Sequence, residues 1–327
     1  MKNHENTFMK AIVYHAYGSP DVLRLEDIPK PIPNDDEVLV KVHAVSVNSW
    51  DWDMLSGRPL EYRYISGLLK PKSNKLHGCD IAGQVEAAGS NVRHLRVGDE
   101  VFGDLSEGGW GAFAENVCAC ENELILKPSA MTFEEAACLS HGGNLAVQGL
   151  IDVGKIKSGQ KVLINGGGGS TGTLAIQIAR LFDVEITAVD HTVKLDMMRT
   201  LGADHVIDYT KEDFTRNGQK YNLIFDVKTD RSVFDYKRAL YQDGRYVTVG
   251  GKTSRILQVV CFGKLSKKYR MYIVGYKANK DLNYLVELHE MGKIKPVIDK
   301  CFPLEKTAEA FQYFSEGRFK GKIVVTL

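Results

Sequence analysis

A chain of 327 residues that is 44% hydrophobic and 25% charged has the composition of a compact folded protein, which excludes a disordered or fibrous one. Its 42 lysines and arginines against 41 aspartates and glutamates leave a formal charge of +1, too little for a global field toward nucleic acid or an acidic membrane. At this length roughly three quarters of the extended surface is buried on folding, enough for one large core or two ordinary ones.

The stretch from Met1 to Lys10 is polar, and no later segment approaches the roughly 20 apolar residues that span a bilayer, so the expected location is the cytoplasm with no membrane partner. The β-rich half comes next. From Ala11 to about Lys127 short segments alternate with Gly and Pro, and Glu37 to Val45, Ile81 to Ala88 and Glu100 to Phe102 read as strands. Gly89-Ser90 and Val97-Gly98-Asp99 read as turns between them, which gives a compact, barrel-like β domain. The six cysteines are too scattered for a disulfide scaffold. Cys118 and Cys120 share one face of a strand, with no second thiol pair nearby to complete a four-ligand metal site.

Near Met131 the style changes. Thr132 and Glu135 have the spacing of a helix cap, and the helix is expected to run through Leu139 to a glycine break, with a second helix from Ala146 to Val153. A regular alternation follows: strand Lys161 to Ile164, helix Thr171 to Leu181, strand Glu185 to Val189, helix Val193 to Leu201 and strand His205 to Asp208. Strand Tyr221 to Asp226, helix Ser232 to Leu240, strand Arg245 to Val249 and strand Arg270 to Gly275 repeat the pattern, which predicts a doubly wound, parallel α/β sheet. The basic run Lys264 to Arg270 reads as a solvated loop, so no nucleic-acid partner is expected. A helix from Asp281 to Met291, a helical stretch from Leu304 to Glu316 and a strand from Gly321 to Leu327 close the chain and are expected to return to the first domain.

The sharpest chemical signal is Gly167-x-Gly169-x-x-Gly172, set directly between a strand and a helix. Such a loop turns tightly, brings backbone N–H groups and the helix N-terminus, here Ser170 and Thr171, to a pyrophosphate, and lets the helix pack closely. Asp190 ends the next strand, where a carboxylate binds ribose hydroxyls and favours NAD. Neighbouring His191 and Lys194 pull the other way, since a cation there neutralises a 2′-phosphate. Catalytic candidates are less distinct. Asn48, Asp51 and Asp53 follow a strand and either approach a cleft or cap a turn, and Tyr62 and Tyr64 either cover a substrate or fill a surface groove. His141 sits at a helix end as a candidate proton donor, and the backbone at Val249-Gly250-Gly251, together with Asn48, is a candidate contributor to an oxyanion environment. No serine has a base at a recognisable spacing, which argues against a hydrolase triad.

Taken in order, Met9 to Val13, Ser46-Val-Asn48-Ser-Trp-Asp51, His77 to Gly83, Val97 to Gly103, the glycine loop, Leu201 to Tyr209 and Gly321-Lys322 resemble the medium-chain dehydrogenase/reductase superfamily, specifically its zinc-free quinone oxidoreductase branch. The resemblance implies a GroES-like catalytic domain over 1–130, a Rossmann nucleotide-binding domain over 131–280 and a C-terminal segment over 281–327 that returns to the first. It further implies NADPH, with NADH as the alternative, hydride transfer to a quinone, enone or alkenal as the small-molecule acceptor, and a homodimer. Zinc-dependent relatives carry a cysteine in the segment matching Ser46 to Asp51 and a histidine where this chain has Cys79. Neither is present, nor is a four-cysteine lobe, so no zinc is expected. Ser49, Ser140, Leu145 and Asp190 depart from the branch's usual residues and bear on substrate fit and cofactor preference. Two other readings stay open: a zinc-free alcohol dehydrogenase using His141 or Asp51 as base, and a noncatalytic NAD(P)H-binding sensor or structural protein.

Overall fold

The computed structural model describes residues 7–60, 62–265 and 270–327. These divide into two units, residues 1–141 with 298–327 and residues 142–297. The divisions fall at 141 and 297, later than the boundaries near 130 and 280 expected from the sequence.

In the first unit β1 (Phe8–Val13) pairs antiparallel with β2 (Arg24–Pro29). The main sheet is built on β3 (Glu37–Ser46), which is followed by α1 (Ser49–Ser56) and α2 (Tyr62–Ser66). β3 pairs antiparallel with β4 (Asp80–Ala88), and β4 with β5 (Glu100–Asp104). β6 (Asn116–Cys120) lies against β3, and β7 (Ile125–Leu126) against β5. Val40, Val42, Ile81, Val101, Phe113 and Val325 lie in one continuous buried core, so β-branched residues drive these strands by packing as well as by propensity. Register shifts within the β3–β4 ladder curl the sheet.

α3 (Phe133–Val147) starts as the sequence indicates: Glu135 N–H donates to Thr132 Oγ1 at 3.1 Å, and Thr132 N–H donates to Glu135 Oε2 at 3.3 Å. It does not break at Gly142-Gly143. A Cβ on Gly142 would stand 2.6 Å from Ser170 Oγ and one on Gly143 2.7 Å from Leu285 Cδ1, so these glycines permit close packing inside a continuous helix. The expected second helix is a π-type turn over Gln148–Val153.

The second unit alternates β8 (Lys161–Asn165), α4 (Ser170–Arg180), β9 (Glu185–Asp190), α5 (Leu195–Thr200), β10 (His205–Asp208), β11 (Tyr221–Asp226), α6 (Val233–Ala239), β12 (Leu240–Thr248), α7 (Thr253–Leu265), β13 (Arg270–Ile273) and α8 (Leu282–Glu290). All six strands are parallel, in the order β10-β9-β8-β11-β12-β13. The order reverses between β8 and β11, and the crevice at the carboxyl ends of such strands is where this topology binds ligands. The basic run singled out in the sequence falls largely on residues 266–269, outside those described.

The chain then rejoins the first unit. β14 (Ile298–Pro303) runs parallel to β15 (Lys322–Thr326) after α9 (Thr307–Ser315), and β15 pairs antiparallel with β3. The return starts at residue 298. α8 stays with the second unit.

Candidate functional site

In the second unit the loop between β8 and α4 has the form that the glycine spacing predicts. Gly166 takes φ +88°, and Gly169 is the N-cap of α4. Gly172 is the closest-packed glycine of the loop, since its Cβ would fall 2.1 Å from the carbonyl oxygen of Gly166. Gly167 packs against Ala188 and Met198, while a Cβ on Gly169 would meet its nearest atom only at 3.7 Å. Ser170 Oγ is buried at the start of α4 with no partner among the described residues, and Thr171 follows it on the first turn. An orphan hydroxyl beside a glycine cradle and a helix N-terminus fits a pyrophosphate. Gly172→Ala is therefore expected to lower the melting temperature and to weaken cofactor binding at least tenfold. Gly169→Ala should leave the melting temperature of the cofactor-free protein unchanged and reduce affinity alone, as read by calorimetry.

Asp190 is 3% exposed and braces this loop: Oδ2 accepts the Gly168 N–H at 2.9 Å and Oδ1 accepts the His191 N–H at 2.8 Å. Lys194 is turned inward, 1% exposed, with Nζ 3.5 Å from Asp190 Oδ1. The cation that the sequence reading offered to a phosphate thus neutralises Asp190 instead. His191 caps the following turn and meets Tyr209 edge-on at 6.1 Å. Beside the loop lies a cavity of about 180 Å³ lined in part by Gly166, Asp190, Tyr209, Lys228 and Arg231. Lys228 and Arg231 were not foreseen. They sit on the turn after β11, which the buried Asp226 pins by accepting the N–H groups of Lys228 and Thr229, both at 3.0 Å, and the Tyr246 hydroxyl at 2.7 Å. Arg231 is already paired with Asp213 at 2.8 Å.

The backbone after β12 is mostly spent internally. Val249 N–H donates to the Asp226 carbonyl at 3.3 Å and Gly250 N–H to Thr248 Oγ1 at 3.3 Å, while Gly251 holds φ +136° against Thr229.

In the first unit a buried polar network surrounds Asn48. Lys322, 2% exposed, donates from Nζ to Ser46 Oγ at 2.8 Å, Asn48 Oδ1 at 2.5 Å and Asp80 Oδ2 at 2.9 Å. Burial is the largest single influence and lowers its pKa, but the charge and hydrogen bond of Asp80 together with the Cys138 and Cys79 thiols more than offset it and leave the pKa raised. Asn48 Nδ2 donates to Asp80 Oδ2 at 3.1 Å and points at Cys79 Sγ at 3.7 Å. The Asn48 amide is therefore occupied by buried partners rather than offered outward. Asp51 is fully buried and ties two segments together, its Oδ2 accepting the Asn48 N–H and its Oδ1 the Gly78 N–H, both at 2.8 Å. Burial pushes its pKa up to about 7. Burial, and then the charge of Asp51, does the same for Asp53. Tyr62 opens α2 half-buried, and Tyr64 is 77% exposed.

His141 has the partner that its sequence neighbourhood did not reveal. Its Nδ1 stands 2.8 Å from Asp104 Oδ2, and its backbone N–H donates to Asp80 Oδ1 at 2.9 Å. Burial lowers the imidazole pKa, but the Asp104 hydrogen bond and the charges of Asp104 and Asp80 more than compensate, leaving it raised. Beside it Trp50 stacks on Trp110 with centroids 5.7 Å apart and planes at 15°, and presents its edge to His141 at 6.2 Å.

Cys79, Asp104 and His141 place a thiol, a carboxylate and an imidazole within 4.8 Å of one another, the one group of three or more such donors among the described residues. The donor types suit zinc. Within the group Nδ1 of His141 and the Asp104 carboxylate bond each other, and burial, with the charges of Asp104, Asp80 and Asp51, holds the thiol pKa well above its ordinary value.

A Rossmann-type sheet carrying a glycine loop, combined with an antiparallel β domain that the C-terminal strands complete, defines a two-domain oxidoreductase of the dehydrogenase type. Residues 34–129 match the Alcohol dehydrogenase GroES-like domain family, and residues 201–325 match the Zinc-binding dehydrogenase family. The chain is 35% identical to the 2-methylene-furan-3-one reductase of Solanum lycopersicum, over 97% of this chain and 79% of that protein. It is 33% identical to the chloroplastic NADPH-dependent alkenal/one oxidoreductase of Arabidopsis thaliana, again over 97% and 79%. The quinone oxidoreductase of Coxiella burnetii superposes with a TM-score of 0.88 at 28% identity, covering 98% of this chain and 99% of that one. The chain belongs to the medium-chain dehydrogenase/reductase superfamily, among its quinone oxidoreductases.

Proposed function

We propose that this protein is a zinc-independent NAD(P)H-dependent reductase of quinones, enones or alkenals. The observation that carries the reading is the glycine loop at the switch point of the parallel sheet, in a chain that matches reductases over 97% of its length. When bound, the nicotinamide supplies the hydride. Hydride delivery to a conjugated acceptor leaves negative charge on its oxygen, and a proton must follow. His141, backed by Asp104, holds that proton at a nitrogen of a buried imidazole. Asp80, fixed by Lys322, holds the His141 backbone, so the ring is placed by residues from both ends of the chain. The acceptor gains a hydride and a proton, and no metal is required to balance the reaction.

NADPH is the proposed cofactor. Lys194 neutralises Asp190 and so removes the repulsion that this carboxylate would exert on a 2′-phosphate, while Lys228 adds positive charge to the same cavity. Lys228→Ala should weaken NADPH about tenfold and change NADH less than twofold, measured by fluorescence titration. An equal loss for both would assign Lys228 to a contact that the cofactors share. A homodimer is proposed as well, and among the described residues β13 ends the sheet order, an edge that a second copy could extend; sedimentation velocity tests it.

A further inference from the structure

We infer that the loop over residues 67–72 is a docking surface for an anionic lipid bilayer: Leu68 and Leu69 enter the headgroup region, while Arg58, Lys70 and Lys72 meet the lipid charges. The surface lies wholly within the first unit and does not depend on the reductase reading. Residues 58–75 carry five lysines and arginines against one acid, in a chain whose formal charge is only +1. This segment departs from the overall balance on which the expectation of no membrane partner rests.

The way the tip of this loop is held carries the inference. Leu69 is 90% exposed, more than any other large hydrophobic among the described residues, and its neighbour Leu68 is 62% exposed. The backbone fixes them there. Lys72 N–H donates to the Ser66 carbonyl at 2.7 Å across the base of the loop, and Gly67 takes φ +121°, where a Cβ would fall 2.1 Å from the Lys70 carbonyl oxygen. Ser66, Gly67 and Pro71 are buried, so the base is packed while the tip stands out. The Tyr17 hydroxyl donates to the Gly67 carbonyl at 2.6 Å and lies 2.7 Å from Ser66 Oγ, and the Arg63 guanidinium covers the Tyr17 ring at 4.5 Å. Leu60 and Tyr64, one turn apart at the start of α2, add exposed apolar surface on the approach to the tip.

The charges around the tip decide what covers it. Arg58, Lys70 and Lys72 are exposed, and none of them pairs with an acid among the described residues. Apolar side chains at the boundary between headgroups and acyl chains, with cations at anionic headgroups, are the two contributions that hold a peripheral protein on a bilayer, and they add here. A tip that is already ordered loses little entropy when it inserts. A second copy fits poorly, because a two-fold interface sets the patch against itself and brings Lys70 and Lys72 up to like charges. A stable protein partner calls for about 800 Å² a side, which a three-residue tip does not offer. No helix among the described residues is long and apolar enough to cross a membrane, so the attachment is to one surface of the bilayer.

The test sediments the full chain with large unilamellar vesicles, made of phosphatidylcholine alone or of phosphatidylcholine mixed with phosphatidylglycerol. The mixed vesicles should bind the wild type at least about tenfold more tightly than the neutral ones, and added salt should weaken that binding. Leu68→Ser with Leu69→Ser should lower the affinity about tenfold or more and leave the salt dependence in place. Lys70→Gln with Lys72→Gln should lower it about tenfold or more and flatten the salt dependence. All four side chains are exposed, so the melting temperature of both variants should match the wild type. No binding to the mixed vesicles, equal binding to the two kinds of vesicle, or equal binding by the wild type and both variants would overturn the proposal. Self-association in sedimentation velocity that the leucine variant abolishes, with no vesicle binding, would overturn it as well and give the tip to a second copy.

Discussion

Replacing Lys322 with methionine is expected to destabilise the first unit by about 3–5 kcal/mol, the cost of leaving one member of a buried ion pair without its partner. Lys322 Nζ makes three short contacts, to Ser46, Asn48 and Asp80, in a site closed to bulk solvent, since Lys322 is 2% exposed and Asp80 is fully buried. Among the described residues the remaining carboxylate would keep the Ser46 hydroxyl, the Asn48 amide and the His141 N–H as donors. All three tryptophans, Trp50, Trp52 and Trp110, lie in the first unit, so the midpoint of fluorescence-monitored urea unfolding reports on that unit. Adding Asp80→Asn should recover part of the loss, because the stranded charge is then gone. A Lys322→Met protein within about 0.5 kcal/mol of wild type would show that the network contributes little.

The second large effect is catalytic. Asp104→Asn should lower kcat by about 10²- to 10³-fold, the range for loss of a positioned acid. The sign of the pH effect follows from the opposing influences on His141. In the wild type Asp104 and Asp80 hold the imidazolium against burial, so the raised pKa keeps the acid present as pH rises, and the rate falls only once pH passes that value. Without the Asp104 charge, burial dominates and the falling limb moves to lower pH. His141→Gln should abolish the limb. The same raised pKa means that the His141–Asp104 pair contributes stability fully below the unfolded imidazole pKa, about 6.5, and loses it as pH rises through the folded value. Identical pH profiles for wild type and Asp104→Asn would remove His141 from proton delivery.

What could be read from the sequence was local. The glycine loop, the Thr132–Glu135 cap and most of the alternation of parallel strands with helices are set by spacings of a few residues and stand where the spacing put them, while the helix α7 (Thr253–Leu265) between β12 and β13 was missed. The site was harder because its partners are distant: Asp104 and His141 are 37 positions apart and Lys322 and Ser46 276, and no periodicity links them. Lys194 had the position of a phosphate ligand, yet its side chain turns inward to Asp190, a choice that only packing decides. Lys228 lay at the end of a strand beside the switch point, which is the one signal that pointed to it. Gly142 and Gly143 illustrate the opposite error, since glycine read as a helix breaker is here the residue that lets the helix approach Ser170 and Leu285.

The most direct measurement is stopped-flow oxidation of NADPH and NADH by protein stripped of metal with a chelator, with duroquinone and 3-penten-2-one as acceptors. Acceptor-dependent oxidation, faster with NADPH and unchanged when zinc is restored, is the expected result. Activity that disappears with the metal and returns with zinc would contradict it, placing a cation rather than a proton between Cys79, Asp104 and His141.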